Sequence, residues 1–136
     1  MEFSKSMAVA ASGMRAQTER MKIIAENIAN ANSTATNKDG DPYRRKIATI
    51  NSTFNRELGA TLVTAGKPVA DQKEFRTQYD PGNPNADAQG YVKLPNVNSL
   101  VEALDMREAQ RAYEANLNVS ETARAMESRT LDLLKK

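Results

Sequence analysis

Cysteine, histidine and tryptophan are all missing from the 136 residues. Without Cys or His there is no thiolate nucleophile, no imidazole base and no zinc or copper site of the usual kind. The lack of thiols also excludes disulfide staples and leaves the redox compartment open. A surplus of either charge is missing too: 19 Lys and Arg stand against 17 Asp and Glu, a net +2. That balance argues against a nucleic-acid footprint or an anionic membrane surface. Aromatics are scarce, with three Phe and four Tyr, so the 40% apolar fraction is largely Ala, Met, Leu, Ile and Val. Such a composition favours close helix packing over a large aromatic core. No run approaches the roughly 18–20 apolar residues of a membrane span, so no membrane insertion is expected. Lys5 followed by Met7-Ala8-Val9-Ala10-Ala11 faintly echoes a secretory signal. The run ends at Ser12-Gly13, short of the roughly 7–15 apolar residues such a segment needs, so no cleaved leader is expected.

What is present divides into three segments. Residues 1–32 contain one Gly and no Pro, and Met7, Met14, Met21 and Ile28 recur seven apart. Alanines and Ile24 follow them three or four residues later, so the spacing predicts a long amphipathic helix. Arg15, Glu19, Lys22 and Glu26 alternate in sign on the other face, as on a solvated helix surface. Gly13 costs such a helix about 1 kcal/mol against Ala, and marks a place where another backbone comes close.

Residues 33–98 hold all five Pro and five of the six Gly. Turns are predicted at residues 37–42 and 80–84, where Gly supplies positive φ and Pro presets φ. Between them lie short β-prone pieces at about residues 45–50, 60–64, 74–79 and 91–94. The expected module is small, irregular, and mostly β and loop.

In residues 99–136 the helical signal returns. Ser99-Leu100-Val101-Glu102 fits a capping box, with Pro95 just upstream. Ala109, Ala112, Asn116, Val119, Ala123, Met126, Thr130 and Leu133 alternate spacings of three and four, the a/d pattern of a coiled coil. A second stripe of Met106, Tyr113, Leu117, Leu131 and Leu134 widens the apolar surface beyond what one partner helix covers. The expected fold is therefore mainly α. Long N- and C-terminal helices pair, parallel or antiparallel, as a coiled-coil-like layer around a central irregular β module. A seam of Ala, Ser, Thr, Asn and Met buries little area at about 25 cal/mol per Å². Ordering it costs about 1–2 kcal/mol per residue in backbone entropy. Two readings follow: helices that order only when neighbouring subunits supply the missing faces, or a self-contained helical hairpin closed over the β module.

Motifs for chemistry fail on inspection. With Gly40 at the obligatory glycine of a calcium loop, Ala35 and Lys46 fall at the two anchor positions. Tyr43-Arg44-Arg45-Lys46 is too short and isolated for phosphate binding, and reads as a solvated strand end or a subunit contact. Asp80 and Asp87 lack any neighbour to split their roles as an acid–base pair. The sequons at Asn32, Asn51 and Asn118 are too loose a pattern to carry weight. No enzyme, no cofactor and no metal are expected.

Two stretches are more specific than helix or loop formation requires. Residues 25–34, Ala-Glu-Asn-Ile-Ala-Asn-Ala-Asn-Ser-Thr, resemble the Asn-Ile-Ala-Asn signature of bacterial flagellar axial proteins. Tyr79 to Asn98 and Met106 to Asn116, with Ser12-Gly13-Met14, Pro42 to Lys46 and Thr130 to Leu134, are similar to flagellar basal-body rod proteins, above all those of the proximal rod. The likeness spans nearly the whole chain and is weakest over residues 51–76. Asn83 stands where the family pattern has His.

The resemblance implies a structural subunit of the rod, the torque-transmitting shaft that crosses the periplasm. Such subunits pass through the flagellar type III export apparatus and polymerise helically, their terminal helices forming the inner layer. Implied partners are copies of the chain, neighbouring rod subunits and the export apparatus, with no nucleic acid. Packing is expected from Met7, Met14, Met21 and Ile28 on one helix, and from Tyr113, Leu117, Val119, Met126, Leu131 and Leu133 on the other. Asn27 and Asn30 are expected to cap the helix end or bond a neighbouring backbone. Asp80, Pro81, Pro84, Tyr91 and Pro95 are expected to stiffen a contact loop. A soluble helical adaptor or export chaperone binding partner helices is the alternative.

Overall fold

The computed structural model describes residues 2–38 and 40–135, so Asp39 of the 37–42 turn lies outside the described residues. Helix α1 spans Glu2–Ala29 and helix α2 spans Ser99–Leu134. Both are free of Pro, and α1 contains only Gly13. Three two-stranded antiparallel ladders lie between them: β1 (Lys46–Ile47) with β4 (Val69–Ala70), β2 (Ile50–Asn55) with β3 (Ala60–Ala65), and β5 (Arg76–Tyr79) with β6 (Tyr91–Leu94). The predicted strand at 45–50 is in fact two, interrupted at residues 48–49, and β2 runs on through Asn55. Asn and Ser at positions 51, 52 and 55 hid β2, because these residues are poor strand formers in isolation. Pairing to β3 overrides that preference.

The chain divides into two compact units. One takes Met1–Met21, Ala48–Lys67 and Arg107–Lys136; the other takes Lys22–Ile47 and Pro68–Met106.

In the first unit the helices run antiparallel: Gly13 of α1 faces Asn116 of α2, and Arg20 reaches Glu108 at 3.5 Å. Its buried line is Ala10, Ser12, Gly13 and Ala16 against Ala109 and Ala123. The predicted stripe residues Met7 and Met14 sit half-buried beside this line, because small residues let the helices approach where methionines could not. Beside Gly13 lies the amide of Asn116, a side chain where another backbone was expected. The β2–β3 hairpin turns through Gly59 at φ 67°, a left-handed conformation that suits glycine. It is held to α1 by Ser12, whose hydroxyl donates to Val9 O at 2.7 Å and accepts from Val63 N–H at 3.2 Å.

The second unit has a more conventional apolar core of Ile23, Ile24, Ala31, Val92, Leu94 and Val97. Strand β6 alternates exposed and buried residues, so Val92 and Leu94 point inward. The 80–90 loop closes with Asp80 N–H donating to Gly90 O at 2.9 Å. Gly90 has φ 89°, and a Cβ there would stand 2.8 Å from the Tyr79 ring. Helix α2 begins on Asn98, whose Oδ1 accepts from Leu100 N–H at 3.1 Å and Val101 N–H at 3.4 Å. The predicted Ser99–Glu102 capping box is therefore displaced by one residue. Asn98 caps, and Glu102 turns inward.

The Gly13–Asn116 contact gives a direct test. An alanine Cβ at position 13 would stand 2.7 Å from the Asn116 amide, which is itself tied to Ala112 O at 2.9 Å. Gly13→Ala should therefore gain less than the roughly 1 kcal/mol of helix propensity it offers. In Gly13→Ala/Asn116→Ala the clash is gone. A double-mutant cycle by thermal or urea unfolding should show about 1–2 kcal/mol of favourable coupling.

Candidate assembly interface

Asn27 lies on the last full turn of α1 and is 1% exposed. Its Oδ1 accepts from Lys46 N–H at 3.0 Å and from the Tyr43 hydroxyl at 2.7 Å. Its Nδ2 donates to Lys46 O at 2.9 Å and to Glu102 Oε2 at 3.3 Å. The side-chain amide thus meets both backbone groups of one residue, as a neighbouring strand would, and all four of its bonding positions are used. Asn30, by contrast, is local: its Nδ2 donates to Glu26 O at 2.8 Å.

Glu102 is 0% exposed, and an unpaired carboxylate there would cost several kcal/mol. Arg45 compensates: its Nε donates to Glu102 Oε1, and its Nη1 reaches Asp71 Oδ2 at 3.1 Å. Its Nη2 lies 3.6 Å from Asp105 Oδ2. Arg44 stacks 4.3 Å over the Phe75 ring and donates to Asp71 O at 2.9 Å. The basic 43–46 cluster is not the solvated strand end that the sequence suggested. Its tyrosine and both arginines hold the second unit's interior together. Only Lys46 keeps its charge near solvent, 3.4 Å from Glu26.

The electrostatics agree. Asp71 is held below the ordinary carboxylate range, first by the N–H of Lys73 at 3.0 Å and then by Arg45, against the opposing effect of burial. Burial lowers the affinity of Arg45 for its proton, but the bonds and charges of Glu102 and Asp71 outweigh it and raise the guanidinium above its usual value. The Tyr43 phenol is pushed up by burial, then by the charges of Glu26 and Glu102, so it stays a donor to Asn27.

Asp80 and Asp87 organise a loop: Asp87 Oδ1 accepts from Gln89 and Tyr91 N–H, both at 2.9 Å. Asp80, Pro81 and Pro84 are exposed, and Tyr79 and Tyr91 meet edge to face at 5.3 Å. Pro95 sits inside the second unit, and its carbonyl accepts from Arg76 Nε at 3.0 Å.

Among the packing residues, Met21 and Tyr113 are half-buried, and Ile28 and Leu117 are slightly more open, at 39% and 38%. Val119, Met126, Leu131 and Leu133 are open to solvent, Leu133 at 72%. The register explains Leu131 and Leu133, whereas Val119 and Met126 lie level with α1 on a face that it does not cover. Glu2, eleven residues before Gly13, stands level with about residue 127 of α2. Residues 128–134, roughly two turns, pass beyond the start of α1. Between α1, β3 and α2 the first unit also holds an open cavity of about 610 Å³. Sequence reading found the apolar stripes. It missed Glu102, Arg45 and Ser12, since a polar residue on an apolar face names no partner until the partner's position is known.

Long antiparallel helices with a small-residue seam, β hairpins and an apolar helix end that stays exposed among the described residues define a mainly α class of protein with its larger apolar side chains facing outward. Comparison with known proteins narrows this. Residues 7–35 match the family model "Flagella basal body rod protein", and residues 88–133 match "Flagellar basal body rod FlgEFG protein C-terminal". The flagellar basal-body rod protein FlgC of Agrobacterium fabrum is 47% identical over 97% of this chain and 95% of its own. That of Escherichia coli O6:H1 is 42% identical over 92% of each chain, and that of Aquifex aeolicus 36% over 99% of each. The chain belongs to the FlgC family of flagellar basal-body rod proteins, and these matches do not favour the adaptor reading.

Two predictions follow from the polar centre. Asn27→Asp leaves Lys46 O without a donor and sets a carboxylate against Glu102, so unfolding titrations at pH 7 should show a loss of about 2–4 kcal/mol. Because Asp71 titrates lower in the folded chain, its contribution is complete above the ordinary carboxylate value and is lost as pH falls through the lower, folded one. Stability should therefore drop below about pH 4, and Asp71→Asn should flatten that acid limb while lowering stability at neutral pH.

Proposed function

We propose that this chain is a structural subunit of the proximal rod, polymerising helically through its terminal helices within the periplasmic, torque-transmitting shaft. In this reading it passes through the flagellar type III export apparatus and meets copies of itself and neighbouring rod subunits. The observation that carries it is the open apolar end of α2, where Leu131, Leu133 and Leu134 are 54%, 72% and 77% exposed. A leucine is worth about 1.5–3 kcal/mol on full burial, so such a surface strongly favours association. The 80–90 loop and residues Met7, Met14, Met21 and Ile28 supply further contacts, and the helix ends become fully ordered only when neighbours cover them.

The test is a tagged chain produced in a flagellated cell whose own copy has been removed, with basal bodies isolated and blotted. The unmodified chain should co-purify with them and restore motility. Leu131→Asp/Leu133→Asp should lose about 3–6 kcal/mol of contact energy, so incorporation should fall at least ~100-fold. The helical circular dichroism of the purified variant should not change. Full incorporation of that variant would overturn the proposed role of the helix end.

A further inference from the structure

We propose that the overhanging end of α2, residues 128–134, seats in the first unit's groove on a second copy of this chain. The inference rests on the rod-subunit reading above and specifies which surfaces meet. The groove, of about 610 Å³, is walled by Ala11 and Met14 on α1, Leu62, Val63 and Ala65 on β3, and Tyr113 on α2. Its size lies within the roughly 300–1,000 Å³ of pockets that bury a substantial apolar ligand. Small residues on two walls leave it open.

The overhang has the matching character. It continues the α1-facing line of Asn116, Ser120, Ala123 and Glu127 past the point where α1 begins, so Leu134 lies on that face without its helix, and Leu131 and Leu133 flank it. It cannot fold back into its own groove. Ser12, beside the groove, stands level with about residue 117, and Leu133 lies sixteen residues further along. At about 1.5 Å per residue that is roughly 24 Å along a continuous helix. An overhang seated in such a groove therefore seats in that of another copy.

Charge agrees with shape. Arg15 and Glu19 line the groove, spaced four apart, and form no ion pair among the described residues. The overhang carries Arg129 and Asp132, opposite in sign and three apart, so Glu19 and Arg15 on the rim each find a charge of opposite sign. Because groove and overhang are different surfaces, the contact is heterologous and runs head to tail from copy to copy, as an open filament wherever the rotation between copies does not close a ring.

The absence of cysteine makes crosslinking clean. Leu133→Cys/Thr64→Cys places thiols on the overhang and at the groove, both at exposed positions. Basal bodies containing it, treated with a short bismaleimide, should yield a ladder of dimers, trimers and larger species. The yield should be at least tenfold above that of a Thr122→Cys/Thr64→Cys control. Independently, Ala65→Lys at the groove should cut incorporation at least tenfold, while Thr122→Lys leaves it unchanged. A ladder no stronger than the control, or full incorporation of Ala65→Lys, would overturn the groove contact and leave the rod reading standing. Absence of the unmodified chain from basal bodies would remove both.

Discussion

The side-chain amide of Asn27 is the constraint around which the second unit is arranged. One buried group satisfies the backbone of Lys46, the hydroxyl of Tyr43 and the carboxylate of Glu102, so α1, β1 and α2 are placed together by one residue. Each of these groups would cost about 1–3 kcal/mol if buried without a partner. The arrangement is therefore specific in a way that apolar packing is not. A leucine could slide by one helical step, whereas an amide shifted by one step strands four partners. Arg45 extends the same logic to Glu102, Asp71 and Asp105, and no buried side-chain polar atom among the described residues is left without a bond.

The first unit is built on the opposite principle. Its helices meet through Ala10, Gly13 and Ala16, which allow close approach but bury little surface. Its specificity comes from sparse polar contacts, Ser12 to the hairpin and Arg20 to Glu108, and the larger apolar residues stay outside. For an isolated globular protein that is a poor distribution of hydrophobic residues. For a rod subunit it is a sensible one under the proposed assembly, in which the leucines of α2 contribute where another chain covers them.

The same contrast decides how readable each part was. Apolar period and the placement of Pro and Gly located both helices and the turn at 80–84, because those signals act over neighbouring residues. The Asn-Ile-Ala-Asn stretch was conspicuous only through its likeness to a family; nothing local told Asn27, which crosses to β1 and α2, from Asn30, which bonds its own helix. Glu102 misled for a related reason. Three residues after a serine it imitates a cap, yet Asn98 one position earlier takes that role and frees the carboxylate to meet Arg45. The strand at 50–55 escaped because its partner strand at 60–65, across the turn, supplies the preference that Asn and Ser lack.

Taken alone, the sequence determined that the ends of this chain are helices, that the middle is short strands and turns, that no thiol or imidazole chemistry is available, and that α2 carries more apolar surface than one helix covers. These are properties of composition and of residues within a few positions of one another. The tertiary structure decided that the helices run antiparallel, that Asn27, Arg45 and Glu102 form one buried polar centre, and that the last two turns of α2 extend past their partner. Each depends on which residues separated by fifty to a hundred positions come to lie side by side, and the free energy that selects those pairings exists only once both partners are in place.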